Sequence, residues 1–127
     1  MGAGKSTVGK RLAELRGMDF VDSDHEIEIR TGVDIAFIFE KEGEAGFRKR
    51  EREVVKELVD QHGVELSTGG GTIVDGESCN FLAARGVVVY LHATVGQQYE
   101  RVYKDTKRPL ISSDNPREAL DGLFSER

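Results

Sequence analysis

The sequence predicts an α/β fold in which helices flank an open, doubly wound parallel sheet, and three observations carry this prediction. The first is a glycine-rich stretch over residues 1–7 that opens a helix. The second is the alternation of short apolar runs with helical patterns along the chain. The third is the continuous apolar run from Val87 to Leu91, which is typical of a strand buried on both faces. Ligands of such sheets bind at the carboxyl ends of the strands.

The first seven residues, M-G-A-G-K-S-T, read as most of a phosphate-binding loop, G-x-x-x-x-G-K-[ST], without its first glycine. Backbone N–H groups of such a loop point at phosphate oxygens, and glycines permit the close approach. Lys5 would reach the β- and γ-phosphates, and the Ser6 hydroxyl would ligate the Mg²⁺ that bridges them. The alternative is a chance glycine-rich N-terminus. The helical spacing of the apolar residues that follow argues against it.

The helix after this loop is predicted over residues 6–16. Its apolar positions are Val8, Leu12 and Leu15, and Gly17 is a plausible C-cap.

A short strand, Phe20-Val21, ends at Asp22-Ser23-Asp24. Asp24 is expected to cap a helix that runs to Gly32. Two carboxylates therefore lie at the carboxyl end of a strand.

Two further helices are predicted, a short one over residues 35–39 that starts at Asp34, and a long amphipathic one from residue 44 to Gly63. The first half of the long helix carries a cluster of cations. Cations near a helix start oppose the helix dipole, so a negatively charged partner is expected there. The cluster consists of Arg48, Lys49, Arg50 and Arg52.

The next strand is predicted over Val64 to Ser67, and the turn Thr68-Gly69-Gly70-Gly71-Thr72 follows it. Three consecutive glycines weaken any regular element, so they need a reason. Backbone approach to a ligand and a flexible turn are both open from these five residues.

The remainder of the chain is predicted to be mainly helical, apart from the strand at 87–91. Helices are expected over residues 77–85, 95–103 and 117–126, with a polar basic loop over residues 104–110. This order of elements completes the predicted α/β pattern.

The composition favours small molecules as partners. A chain of 127 residues matches a single hydrophobic core, so one domain is expected. A net charge of −5 gives no support to binding of nucleic acid or of an anionic membrane surface. Cys79 is the only cysteine, which fits a reducing cytosol. No apolar run reaches membrane-spanning length and no signal peptide is recognised, so a cytoplasmic protein is expected.

Five motifs together resemble the shikimate kinase family in their order and spacing. They are the phosphate loop, the D-S-D after a strand, F-R, the T-G-G-G-T turn and K-R-P-L. The resemblance covers essentially all 127 residues and lacks the family's first strand, last strand and closing helix. It implies a P-loop, nucleoside-monophosphate-kinase-like parallel sheet flanked by helices, with a lid at about residues 104–115. It also implies ATP-dependent phosphorylation of the 3-hydroxyl of shikimate in aromatic amino-acid synthesis, by a monomer with ATP, shikimate and Mg²⁺ as its small-molecule partners.

The resemblance also assigns roles to individual residues. On the nucleotide side, the phosphates bind the loop residues and the lid arginine, the adenine lies against another arginine, and the metal is held by a hydroxyl and an aspartate. These residues are Gly2, Ala3, Gly4, Lys5, Ser6 and Thr7 in the loop, Arg108 in the lid, Arg101 at the adenine, and Ser6 with Asp22 at Mg²⁺.

On the shikimate side, Asp24 corresponds to the aspartate on the substrate hydroxyls, where it could act as a base or align the attacking oxygen. Arg48 and Arg127 correspond to the arginines that bind the carboxylate, for which a planar guanidinium suits better than lysine. The turn from Gly69 through Gly70 to Gly71 contacts the substrate. The resemblance makes Lys5, Asp24 and Arg108 the catalytic residues.

Several alternatives stay open. Arg48 could pair with Glu44 or Glu51, and Arg52 could take its place at the carboxylate. Asp24 could be an N-cap only, and Arg101 could be a solvated surface residue. The protein could also be another small P-loop kinase, such as a gluconate kinase, or an inactive fragment or pseudo-kinase.

In the family's sheet order, 2-3-1-4-5, the first strand lies between the strands at residues 64–67 and 87–91. Two inner strands of the 127-residue chain would then keep unpaired backbone groups, each costing about 1–3 kcal/mol when buried. Total domain stability is only about 5–15 kcal/mol. We therefore predict that this chain alone folds poorly and that an added upstream strand restores folding and activity. A cooperative thermal melt with normal shikimate turnover from the short chain would refute this.

Overall fold

The structure is a computed structural model that describes residues 3–94 and 96–98. The chain divides into two compact units, one of residues 5–89 and one of residues 1–4 with 90–127. In the second unit, residues 96–98 are helical, within the helix predicted over residues 95–103. The predicted loop at 104–110, the lid at 104–115 and the helix at 117–126 lie outside the described residues.

The first unit contains four helices, two strands and one short 3₁₀ helix. No helix within the described part of the chain is long and apolar enough to cross a membrane. In chain order the elements are α1 (Lys5–Arg16), β1 (Asp19–Asp22), α2 (Ser23–Thr31), α3 (Ile35–Leu58), β2 (Val64–Ser67), the 3₁₀ helix (Thr72–Val74) and α4 (Gly76–Arg85).

The two strands pair in parallel, so their carboxyl ends meet at one edge of the sheet. Asp19 lies opposite Val64, and Asp22 lies opposite Ser67. The segment that follows β1 and the glycine turn that follows β2 therefore begin side by side. The predicted strand bounds are confirmed at residues 64–67 and lie within β1 for Phe20-Val21.

The strand predicted at residues 87–91 is wrong for the described part of the chain, because none of these residues is in a strand. A strand requires a neighbouring backbone to which its N–H and C=O groups can bond. The two described strands pair only with each other. The apolar side chains of Val87 and Val89 are accordingly 94% and 69% exposed.

The predicted helix over residues 6–16 is confirmed as α1, but its larger apolar side chains do not form its buried face. Val8 and Leu15 are 48% and 69% exposed, whereas Gly9 and Ala13 are buried. The reason is the close approach of β2, because a Cβ on Gly9 would lie 2.5 Å from Oε2 of Glu65. Helix α1 packs on the sheet through its small residues. Oε2 of Glu65 is buried with no hydrogen-bond partner among the described residues, and burial raises the pKa of this carboxyl.

Helix α2 is capped by Asp22 and not, as predicted, by Asp24. The Oδ1 atom of Asp22 accepts a hydrogen bond from the backbone N–H of Asp24 at 3.1 Å. An N-cap keeps extended backbone geometry, which the last residue of β1 already has. Gly32 ends the helix with φ 70°, as predicted.

The two helices predicted at residues 35–39 and 44–63 form one element, α3, which is interrupted at Gly43. The predicted start at Asp34 is confirmed, since its side chain accepts from the N–H of Phe37 at 2.7 Å. The predicted end at Gly63 is wrong because the helix stops at Leu58. Gly43 has φ 69° and ψ −177°, and Arg50 spans this break with two hydrogen bonds to Glu42 at 2.8 and 2.6 Å.

The core lies between α2 and α3. Helix α4, predicted over residues 77–85, is tied to α3 because Arg52 donates to both carboxylate oxygens of Asp75, which also caps α4. This packing fixes the face of α3 that points towards the carboxyl ends of the strands. The buried cluster consists of Ile27, Ile38, Phe47, Val54 and Leu58.

Gly43→Ala should lower the free energy of unfolding by about 1–3 kcal/mol, because its φ and ψ belong to a region open essentially to glycine alone. Gly76→Ala is the matched control, since a Cβ there meets nothing within 4 Å and no positive φ is required. Denaturant unfolding of both variants tests the expectation. Equal stability of the two variants would contradict it.

Candidate active site

The candidate site lies at the carboxyl ends of β1 and β2. The chain leaves β1 through Asp22 directly into α2, and it leaves β2 through the glycine turn. The backbone N–H of Gly69 donates to Oγ of Ser23 at 3.2 Å, which joins the two exits. This edge is the place at which parallel α/β sheets bind their ligands.

The start of α1 reaches this edge through Ser6. Its hydroxyl donates to Oδ2 of Asp22 at 2.8 Å, while the other oxygen of Asp22 caps α2. One carboxylate therefore fixes the starts of two helices. Lys5 is the first residue of α1, and its charge acts on Asp24 by lowering the pKa of that carboxyl. The structure thus brings Lys5, Ser6, Asp22 and Asp24 together, as the sequence predicted.

Asp24 is the most perturbed carboxyl of the site. Its Oδ1 atom is buried and has no hydrogen-bond partner within residues 3–94 and 96–98. Burial and the negative charges of Asp22 and Glu51 raise its pKa from 3.8 to about 6, against the opposing effect of Lys5 and Arg48. A carboxyl with this pKa is ionised at neutral pH and can still accept a proton readily.

Arg48 is held by two carboxylates of its own helix. Its Nη1 donates to Oε2 of Glu51 at 2.7 Å, and its Nη2 and Nε donate to Oε1 of Glu44 at 3.0 and 3.3 Å. The Glu51 side chain is 1% exposed and that of Glu44 is 62% exposed. Both partners that the sequence left open are therefore real. One is fixed inside the protein and the other can be displaced into solvent.

Arg52, the alternative carboxylate partner, is committed elsewhere. It bonds to both oxygens of Asp75 and lies 3.0 Å from Oε2 of Glu77. The hydrogen bonds that Asp75 accepts from Arg52 and from Ser78 lower its pKa to about 2. Arg52 thus joins α3 to α4.

Sequence reasoning named Glu51 only as a possible partner of Arg48 and missed its bond to the glycine turn. Its Oε1 accepts a hydrogen bond from the Thr72 hydroxyl at 2.6 Å, while its Oε2 binds Arg48. A signal was present, because Glu51 follows Arg48 by three residues and lies on the face of α3 that buries Phe47 and Val54. A glutamate on a buried face needs a partner for each oxygen.

Side chains of the site lie so close to two positions of the glycine turn that only glycine fits there. A Cβ on Gly69 would lie 2.6 Å from Oε1 of Glu51 and 2.7 Å from Oδ1 of Asp24. A Cβ on Gly71 would overlap the guanidinium of Arg48. Close approach is therefore the reason for glycine at these two positions, although the close partners are protein side chains. Gly70 lies between them in the turn.

The structure describes the other predicted site residues only in part. Thr7 lies exposed on α1. Ala3 and Gly4 belong to the second unit, where Gly4 has φ 90°. The remaining predicted residues, Gly2, Arg101, Arg108 and Arg127, lie outside the described residues.

These features are typical of P-loop kinases of small molecules: a helix start that carries Lys-Ser, an aspartate bonded to that serine, and a second, buried aspartate beside it. A family model described as shikimate kinase matches residues 1–127. The chain belongs to the shikimate kinase family.

Two curated relatives illustrate the similarity. The shikimate kinase of Actinobacillus pleuropneumoniae serotype 5b is 54% identical over 127 residues, which are 100% of this chain and 73% of that protein. The shikimate kinase of Vibrio campbellii is 55% identical and 74% covered. The chain thus spans about three quarters of their length.

Solved structures give the same result. Shikimate kinase from Acinetobacter baumannii in complex with shikimate superposes with a TM-score of 0.96 at 52% identity, over 98% of this chain and 70% of that one. The Aquifex aeolicus enzyme gives 0.84 at 40% identity, over 99% of this chain and 74% of that one. These matches confirm the predicted P-loop fold with a parallel sheet flanked by helices.

Asp24→Asn should stabilise the protein at neutral pH. The unfolded chain releases this proton near pH 3.8 and the folded chain near pH 6, so stability falls as the pH rises between these values. Above pH 6 the full cost remains, on the order of 3 kcal/mol. We expect the variant to be more stable than the parent by this order at pH 7.5, with the difference fading below about pH 4.

Asp75→Asn is the contrasting control in the same unfolding measurements. Its lowered pKa means that ionised Asp75 contributes stability above pH 3.8, which is lost as the pH falls towards about 2. This variant should therefore be less stable than the parent at pH 7.5. If Asp24→Asn also proved less stable than the parent at pH 7.5, the ionised Asp24 carboxylate would not be destabilising the folded protein.

Proposed function

We propose that this protein transfers the γ-phosphoryl group of ATP to the 3-hydroxyl of shikimate, as its family membership implies. The observation that carries the proposal is that Asp24 and Arg48 lie close enough together, near the start of α1, for the charges of Arg48 and Lys5 both to lower the pKa of Asp24. Asp24 supplies a proton acceptor, and Arg48 supplies a fork for a carboxylate. Shikimate carries both a carboxylate and adjacent hydroxyls, so this pair matches its two ends.

The nucleotide is proposed to bind at the start of α1. A helix N-terminus presents free N–H groups and a positive dipole end to phosphate oxygens. Lys5 adds a positive charge there, and the loop residues Gly2 to Gly4 precede it in the chain. The family resemblance adds Arg101 at the adenine and Arg108 over the phosphates.

Mg²⁺ is proposed to bind between Ser6 and Asp22. Their oxygens lie 2.8 Å apart, and hydroxyl and carboxylate oxygens are the hard ligands that Mg²⁺ prefers. Among the described residues no group of three or more His, Cys, Asp or Glu could hold a metal. This supports a site that shares its ion with phosphate oxygens and water, which is how Mg²⁺ usually binds. The ion would neutralise charge on the transferred group.

Asp24 is proposed to accept the proton of the attacking hydroxyl. Its raised pKa, about 6, brings a carboxyl closer to the working pH of a cytoplasmic enzyme. The charge of Lys5 lowers the pKa of Asp24, so the proton acceptor and the phosphate-binding lysine lie near each other. Phosphoryl transfer depends mainly on such positioning and charge neutralisation.

The carboxylate of shikimate is proposed to take the place of Glu44 on Arg48. The Nε and Nη2 atoms form the edge of a guanidinium that binds a carboxylate with two bonds, and Glu44 now occupies that edge from a solvent-exposed position. Glu51 keeps Nη1 fixed during the exchange. Arg127 is expected from the resemblance to be a second partner.

We also propose a single-domain, monomeric enzyme that works in the cytoplasm, without nucleic-acid or membrane partners. The single cysteine and the net charge of −5 support this proposal.

The proposed reaction is tested with the natural full-length protein by coupled ADP release in the presence of Mg²⁺. Shikimate, gluconate and nucleoside monophosphates are compared as acceptors. We expect kcat/KM to be highest for shikimate. Equal or greater turnover of gluconate would overturn the assignment, and absence of turnover with every acceptor would favour an inactive P-loop protein.

Arg48→Lys should weaken shikimate binding about tenfold or more while ATP binding is retained, because lysine keeps the charge but loses the two-bond geometry. Arg50→Lys is the matched control on the same helix, since Arg50 makes its hydrogen bonds to Glu42, across the break at Gly43. Calorimetric titration with shikimate and with an ATP analogue measures both affinities. An equal loss of shikimate affinity in the two variants would remove Arg48 from the proposed site.

A further inference from the structure

Ser23 lies between the two aspartates of the site and is itself fully buried, with an exposed fraction of 0%. It is the first residue of α2, and its Oγ accepts the hydrogen bond from the backbone N–H of Gly69 at 3.2 Å. This bond joins residues 46 positions apart in sequence. A serine in the first turn of a helix is commonly a local cap, but here the cap is Asp22. The hydroxyl of Ser23 therefore serves a distant segment.

The place of this bond follows from the sheet. The last paired residues of the two strands are Asp22 and Ser67, and Gly69 lies two residues beyond the end of β2. In a continuing parallel pair, the N–H of Gly69 would bond to a carbonyl of the neighbouring strand. That neighbour has already turned into α2, where carbonyls bond along the helix. The Ser23 hydroxyl supplies the acceptor that the ended strand no longer offers.

The position of Gly69 matters because three side chains surround it. Its Cα has no room for a Cβ between Oδ1 of Asp24 and Oε1 of Glu51. The same turn continues to Gly71, which lies against Arg48, and to Thr72, which bonds to Glu51. A shift of the turn would therefore move the surroundings of Asp24 and Arg48 together.

We propose that Ser23 is a positioning residue that fixes the glycine turn relative to Asp24 and so sets the fit of the acceptor substrate. This inference rests on the proposed function for its catalytic consequence. The nucleotide side is held separately, through the bond from Ser6 to Asp22. Loss of the Ser23 hydroxyl should therefore affect shikimate and spare ATP.

Ser23→Ala tests this in the full-length protein, since it removes one oxygen and introduces no clash. Ser78→Ala is the matched control, because Ser78 is also a buried serine in the first turn of a helix, where its hydroxyl bonds to Asp75. We expect the KM for shikimate to rise about fivefold to tenfold in Ser23→Ala, from the loss of one hydrogen bond, with the KM for ATP within about twofold of the parent. Ser78→Ala should leave both values unchanged.

Equal changes in the two KM values, or the same change in both variants, would mean that Ser23 contributes general stability only and would overturn the inference.

Hydrogen exchange of the unliganded proteins separates this inference from the proposed function. The amide of Gly69 should exchange about tenfold faster in Ser23→Ala than in the parent and in Ser78→Ala, because its acceptor is gone. Unchanged protection of Gly69 would overturn the positioning role whatever the enzyme phosphorylates. Faster exchange in a protein that does not turn over shikimate would retain the role of Ser23 and reject the proposed substrate.

Discussion

The buried carboxylate of Glu51 is the group on which the arrangement of the site depends. Its two oxygens bind Arg48 and Thr72, and it occupies the space that a side chain on Gly69 would need. A buried ion pair adds little net stability compared with apolar residues, yet removing one partner leaves a charge without compensation and costs about 3–5 kcal/mol. Glu51 is therefore better understood as a device that orients Arg48 and the glycine turn than as a source of stability.

Burial holds Glu51 in place, but it also raises the pKa of the neighbouring Asp24. Asp24 lacks a partner for Oδ1 within the described part of the chain, and its neighbours Asp22 and Glu51 are also acidic, so its ionised form is disfavoured. Lys5 and Arg48 offset only part of this effect. An unsatisfied acceptor in a native structure is expected where a ligand completes the site. Under the proposed function, the stability lost at Asp24 is the physical cost of holding a proton acceptor in place before the substrate binds.

Structural features that depend on neighbouring residues could be predicted well from the sequence. Contacts between distant segments could not. The cap at Asp34, the C-cap at Gly32 and strand 64–67 follow from neighbouring residues alone, and the structure has all three. The strand at 87–91 failed because an apolar run becomes a strand only beside a partner backbone. The prediction of Asp24 as the cap is wrong because β1 continues to Asp22, the residue before Ser23, and the sequence does not reveal this.

The candidate site shows the same division. Asp24 and Arg48 could be named as candidates from their motifs, and Glu51 as a possible partner of Arg48. The bonds of Glu51 and Ser23 to the glycine turn could not be predicted. Glu51 and Ser23 carry no motif of their own, and their importance arises from burial and from bonds to the glycine turn. Since those bonds join residues 21 and 46 positions apart in sequence, only the folded chain reveals them. Phosphoryl transfer depends on position more than on covalent chemistry, so these supporting residues belong to the function as much as the groups they hold.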